Sequence, residues 1–250
     1  MKLRLARCGR ALGLAAAVCA VAADAAAAPQ CSALSGPTAA ALVELYTSEG
    51  CNSCPPADRW LSALKDRPDV VALAFHVDYW DGLGWKDRFA SPLHTQRQAQ
   101  QRAVNGARFS YTPQVVVDGR DRKDWPRLNI DGARPPAPVR ITLTRVGDRV
   151  TAEVVPAAGT PEALAAYWAV TESGHRTAVK AGENEGVVLE HDFVVRHYRP
   201  VPAWAATAGL PQRFELAVAA AAGGGPTRQV NLVIVDSASG RPLQALALGC

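Results

Sequence analysis

The sequence predicts an α/β domain followed by a smaller antiparallel β domain. Three observations predict this order. An apolar segment at 40–46 leads into Cys51 and Cys54, a helical pattern and a second apolar segment at 70–77. A charged, proline-rich stretch closes at 133–138, and short alternating runs separated mostly by Gly, Pro or Asp recur from Val139 onward. A chain of 250 residues is long enough for two modest domains. The expected division is a leader at 1–28, a first domain at 29–132, a linker at 133–138 and a second domain at 139–250.

The first segment (AALVELY) is interrupted only by Glu44 and reads as a strand. After a polar turn and the two cysteines, Ala57, Trp60, Leu61 and Leu64 recur at helical spacing, with Asp58, Arg59, Lys65 and Asp66 on the other face. Pro55 and Pro56 fit only the first turn of that helix, where N–H groups have no intrahelical partner. Residues 70–77 (VVALAFHV) read as a strand buried on both faces, completing a βαβ unit. The Gln-rich stretch 92–104 predicts an exposed helix, and 114–117 a further strand followed by a turn at Asp118 and Gly119. Beyond Val139, seven alternating runs predict a small antiparallel β-sandwich.

Lys2, Arg4, Arg7 and Arg10 precede an uncharged run at 11–23, followed by small residues at 25–28. This is the pattern of a secretory signal peptide cleaved near Ala28. The formal charge is +4, and removing four bases and Asp24 leaves +1. A nearly neutral chain without a Lys/Arg run gives no support for nucleic-acid binding. No second membrane segment follows, so a periplasmic or secreted location is expected.

Of six cysteines, Cys8 and Cys19 would leave with the leader. In an oxidising compartment the remaining four can pair in three ways. Cys31 and Cys250 stand near the ends of the mature chain and are candidates for a structural staple, the alternative being free or intermolecular thiols. Cys51 and Cys54 are the functional candidates. A helix N-terminus favours a thiolate on the first cysteine, making Cys51 the nucleophile and Cys54 the resolver. A lone C-x-x-C also serves as half of a zinc site or as an inert bridge, and a single pair argues against a four-cysteine zinc site. His191 and His197 read as surface residues of a strand, His94 as exposed, and the acidic 182–186 segment as a turn.

The strand, C-x-x-C and helix order resembles thioredoxins. That resemblance implies an α/β, thioredoxin-like first domain, a cis peptide before Pro113 facing the cysteines, and a role for Glu44 in taking the Cys54 proton. The alternative for Glu44 is a solvated edge-strand carboxylate. The segment after Gly119 looks too short and proline-broken for a full closing strand and helix. The strings from Val43 to Asp58, His76 to Asp81, Tyr111 to Gln114, Gly182 to Gly186 through His191, and Val194 to Arg196 resemble the secreted family catalogued as domain of unknown function 1223. The catalytic candidates are thus Cys51, Cys54, Glu44 and Pro113, with no cofactor or metal assigned. The leading expectation is a thiol–disulfide oxidoreductase acting on exported protein thiols. The alternatives are a copper(I)-binding or delivery protein using the two thiolates with His76 or His94, and a noncatalytic binding protein whose bridge is structural.

Overall fold

The computed structural model describes residues 30–219 and 225–250; the expected leader, with Cys8, Cys19 and Ala28, lies outside the described residues. In chain order the elements are β1 (Gln30–Leu34), β2 (Ala41–Thr47), α1 (Pro55–Ser62), β3 (Val70–His76), α2 (Pro92–Val104), β4 (Gln114–Val117), β5 (Arg120–Asp121) and a 3-10 turn (Trp125–Arg127). They continue as β6 (Val139–Val146), β7 (Arg149–Pro156), β8 (Ala163–Ser173), β9 (His175–Ala178), β10 (Val188–His191), β11 (Val194–Ala205), β12 (Gln212–Ala217), β13 (Thr227–Asp236) and β14 (Pro242–Gly249).

Local chemistry sets several boundaries. Pro55 and Pro56 open α1, whose Ala57 and Leu61 are buried against β2 and β3. Ser91 caps α2 by accepting the Leu93 N–H at 3.3 Å, with Pro92 in the first helical turn. Between β4 and β5, Asp118 and Gly119 both take positive φ, 51° and 73°. A Cβ at Gly119 would also lie 2.8 Å from the Pro242 ring, so this turn demands glycine.

The α/β class, a thioredoxin-like domain followed by a separate sandwich, is overturned. Among the described residues the protein is mostly β, 45% strand and 11% helix with two α-helices. The main sheet has eight strands in the order β14-β13-β8-β11-β3-β2-β4-β5, so strands from both halves of the chain hydrogen-bond in one sheet. The junction is a short parallel pairing of β11 with β3, at Val194 and Ala74. A second sheet, β1-β6-β7-β12, packs over the antiparallel half of the first, and β9 and β10 form a separate hairpin. β3 is buried on both faces, as suits a strand in the middle of a covered sheet, and its backbone groups find a strand partner at each edge. β2 fills one side and β11 the other. Among the described residues no full strand closes the β4 edge: β5 has two residues.

Register assigns the faces. Ala41, Val43 and Leu45 of β2 pack against α1, while Leu42 and Tyr46 join a second cluster with Phe75, Tyr167 and Tyr198 on the opposite face. α2 crosses that opposite face. A third cluster, centred on the fully buried Trp168, fills the space between the two sheets.

Cys31 and Cys250 form a disulfide 219 residues apart in sequence, joining β1 to the end of β14. Peptide mapping without reduction is expected to recover these two cysteines linked. Cys250→Ser should lower stability by up to about 5 kcal/mol on the chain-entropy account, in which longer closed loops gain more. A change within error would mean that the ends are held by sheet pairing alone.

Candidate functional site

The chemistry-bearing residues converge where β2 and β3 end side by side. β2 finishes at Thr47 opposite His76 of β3, and the chain then turns through Ser48, Glu49 and Gly50 into Cys51. Cys51 and Cys54 form a disulfide, and Cys54 is the N-cap of α1. The structure leaves both cysteines 0% exposed. The 182–187 turn docks on the backbone of the cysteine loop. The Asn184 amide donates to the carbonyls of Glu49 and Cys51 at 2.9 and 3.0 Å, and the Glu183 carboxylate accepts the Asn52 N–H at 3.1 Å. Gly182 and Gly84 approach so closely that a Cβ on Gly84 would meet the Gly182 Cα at 3.3 Å.

Beneath this turn lies a buried group of acids and imidazoles. Asp58, one helical turn after Cys54, accepts the Thr47 hydroxyl at 3.1 Å. His76 holds Asp87 through Nδ1 at 2.6 Å, and Asp87 also accepts the backbone N–H groups of Glu49 and Phe89 at 2.9 and 2.8 Å. Burial would raise the Asp87 pKa, but the charge and hydrogen bond of His76, with those N–H groups, lower it to about 2. The Glu49 carboxylate accepts the Trp85 indole N–H at 2.8 Å and stands 3.4 Å from His191 Nε2, while His191 Nδ1 stands 3.8 Å from Asp58. These are ion-pair separations rather than formed hydrogen bonds. Burial opposes a charge on His191, yet the two carboxylates outweigh it and raise its pKa to about 9. For Glu49, burial acts upward, but His191, Thr177 and Trp85 together lower its pKa.

Not all of the expected residues meet. Glu44 is fully buried rather than solvated, and it sits on the α2 face with Leu42 and Tyr46, because strand alternation directs Val43 and Leu45 toward α1. There it accepts from Arg97 Nε at 3.0 Å and from the Tyr167 hydroxyl at 2.8 Å; no hydrogen bond to either cysteine is formed among the described residues. Burial, reinforced by the Glu44 charge, raises the pKa of Tyr167 well above the usual phenol value. The Thr112–Pro113 peptide is cis. Trp80 connects this segment to the cysteine loop: its indole donates to the Thr112 hydroxyl at 2.9 Å, and its Cβ lies 3.2 Å from where a Gly50 Cβ would be.

Sequence reasoning missed Asp58, Asp87, Asn184 and His191 as members of the site. His191, read as a surface residue, is 2% exposed, and His94, read as exposed, is 4% exposed. Burial lowers the His94 pKa to about 4. One signal could have found His191: it shares a strand face with Leu189, two residues earlier, and both are buried. Among the described residues no helix is long and apolar enough to cross a membrane.

No curated protein matches the chain. A crystal structure of an Agrobacterium tumefaciens protein is similar, with 26% identity over 86% of this chain and 96% of that one and a TM-score of 0.63. HBP35 of Porphyromonas gingivalis is similar in fold, with 15% identity over 85% of this chain and 76% of that one and a TM-score of 0.56. The profile of the family described as "Protein of unknown function (DUF1223)" matches residues 42–235, the stretch that carries every residue of this site, and the chain belongs to that family.

Proposed function

We propose that the protein is an exported thiol–disulfide oxidoreductase whose Cys51–Cys54 pair exchanges with cysteines of other exported proteins. The observation that carries this reading is the closed Cys51–Cys54 disulfide at the start of α1, with Cys54 one turn from Asp58. In the oxidative half of a cycle, a partner thiolate attacks a sulfur of this disulfide. A mixed disulfide forms and the other cysteine leaves as a thiolate. A second partner thiolate then attacks the bridging partner sulfur and releases the reduced pair. Two electrons pass from the partner to Cys51 and Cys54, and the released thiolates take up protons. In the reverse direction the Cys51 thiolate attacks a partner disulfide and Cys54 resolves the intermediate. Pro55 and Pro56 lack N–H groups, so ionisation of Cys51 depends on the overall helix dipole more than on donors in the first turn. The 182–187 turn must lift for a partner to reach either sulfur.

The burial of both cysteines favours a second reading, in which the bridge is structural. Equilibration in graded thiol buffers separates the two, with the redox state read by alkylation and mass mapping. Exchange predicts a midpoint in the range of known exchange catalysts, about −120 to −270 mV. It also predicts a mixed disulfide trapped on Cys51 in Cys54→Ser. A midpoint below about −300 mV, typical of structural bridges, with no trapped adduct overturns the oxidoreductase reading.

A further inference from the structure

We propose that Asp58, His76 and His191 form a binding site for one divalent transition-metal ion of the zinc type. This inference is independent of the exchange activity. One ligand-type atom from each of these three buried residues lies within 4.8 Å of the others. The residues come from α1, the end of β3 and the end of β10, so the tertiary fold alone assembles them. The His76 and His191 rings meet edge to face with centroids 5.0 Å apart.

The hydrogen bonding around the group points inward. His76 spends Nδ1 on Asp87, and its buried Nε2 has no hydrogen-bond partner among the described residues. Both ring nitrogens of His191 and Oε1 of Glu49 are likewise buried and unpartnered there. Buried polar groups are ordinarily satisfied, and three residues in one place with atoms left over is the arrangement expected where the missing partner is an ion.

The surrounding residues supply what a metal ligand set needs. A metal-bound histidine almost always gives its second nitrogen to a carboxylate or carbonyl, which fixes the ring and its tautomer. Asp87 occupies that position on His76, and Glu49 stands 3.4 Å from Nε2 of His191, leaving Nδ1 toward Asp58. Thr47 holds one oxygen of Asp58 and leaves the other facing His191. Ligand atoms around a tetrahedral ion with bonds of about 2.0–2.2 Å stand roughly 3.3–3.6 Å apart. Closure from the observed spacing therefore needs only small side-chain shifts.

Two imidazoles and a carboxylate suit zinc and its first-row neighbours rather than calcium or magnesium, which take oxygen donors. A pocket of about 150 Å³ is lined by two of the three residues, Asp58 and His191, together with Pro55, Arg59, Val187 and Leu189, and brings solvent up to that side of the group.

The test uses the full mature chain with both disulfides intact, so that no thiolate can contribute, stripped with a chelator and titrated with Zn²⁺ by calorimetry. The expected result is one ion per chain, with His76→Ala and His191→Ala each weakening binding by at least about 100-fold and Asp87→Asn by about 10–100-fold. Absence of stoichiometric binding by the wild type overturns the proposal. So does unchanged affinity in the alanine variants that retain cooperative unfolding. Should those variants not fold, Co²⁺ bound to the wild type decides: intense visible bands of a four-coordinate ion support the site, and the weak bands of a hydrated ion overturn it.

Discussion

Arg97→Leu is expected to destabilise the protein by about 3–5 kcal/mol, because it strips a buried carboxylate of its only cationic partner among the described residues. Glu44 is 0% exposed, and the Arg97 guanidinium, itself buried, lies 2.9 Å from it and 4.4 Å above the Tyr167 ring. Removing the cation loses the ion pair, the stacking on Tyr167 and the packing of the arginine stem at once. The double variant Glu44→Gln/Arg97→Leu should recover much of the loss, since a neutral amide can still accept from the Tyr167 hydroxyl. Urea unfolding of the four proteins in the cycle measures the coupling. A loss below about 1 kcal/mol in Arg97→Leu would show that the pair behaves as an exposed one.

Asn184→Ala is expected to speed reduction of the Cys51–Cys54 disulfide by roughly 30-fold. Its amide makes two buried hydrogen bonds, to the carbonyls of Glu49 and Cys51. At about 1 kcal/mol each, their loss raises the open population of the 182–187 turn by about that factor. The measurement is reduction under excess thiol with timed alkylation, and the distant Cys31–Cys250 bridge serves as an internal control whose rate should not change. In reduced protein the wild type should label Cys51 before Cys54, because Cys51 precedes the helix, whose N-terminal dipole favours its thiolate. Equal rates in wild type and Asn184→Ala would show that the turn does not control access.

The elements were largely legible because their signals are local. Apolar 70–77 gave β3, the spacing of Ala57 and Leu61 gave α1, and the alternating runs beyond Val139 correspond closely to β6, β7, β8, β13 and β14. The assembly was not legible. Pairing of Val194 with Ala74 joins residues that lie far apart in the chain, and no spacing rule reports it. The cysteine pair was found for the same local reason, as two residues of one motif. The acid–imidazole group was not, because Asp58, His76 and His191 lie on three separate elements. The polar face expected for α1 was correct for the exposed Arg59 but not for Asp58, which the β9–β10 hairpin covers.

The parallel pairing between β3 and β11 also bears on the order of synthesis. β3 is completed at His76, but its second neighbour begins only at Val194. With elongation at roughly 5–20 residues per second, one bare edge of an apolar strand persists for seconds before its partner exists. Cys250, later still in the chain, is needed to close the bridge to Cys31. A nascent chain that stops short of β11 therefore retains a sticky β edge, the kind of surface that holding chaperones bind and that pairs with other chains. Truncations ending before Val194 should accumulate as aggregates or chaperone complexes.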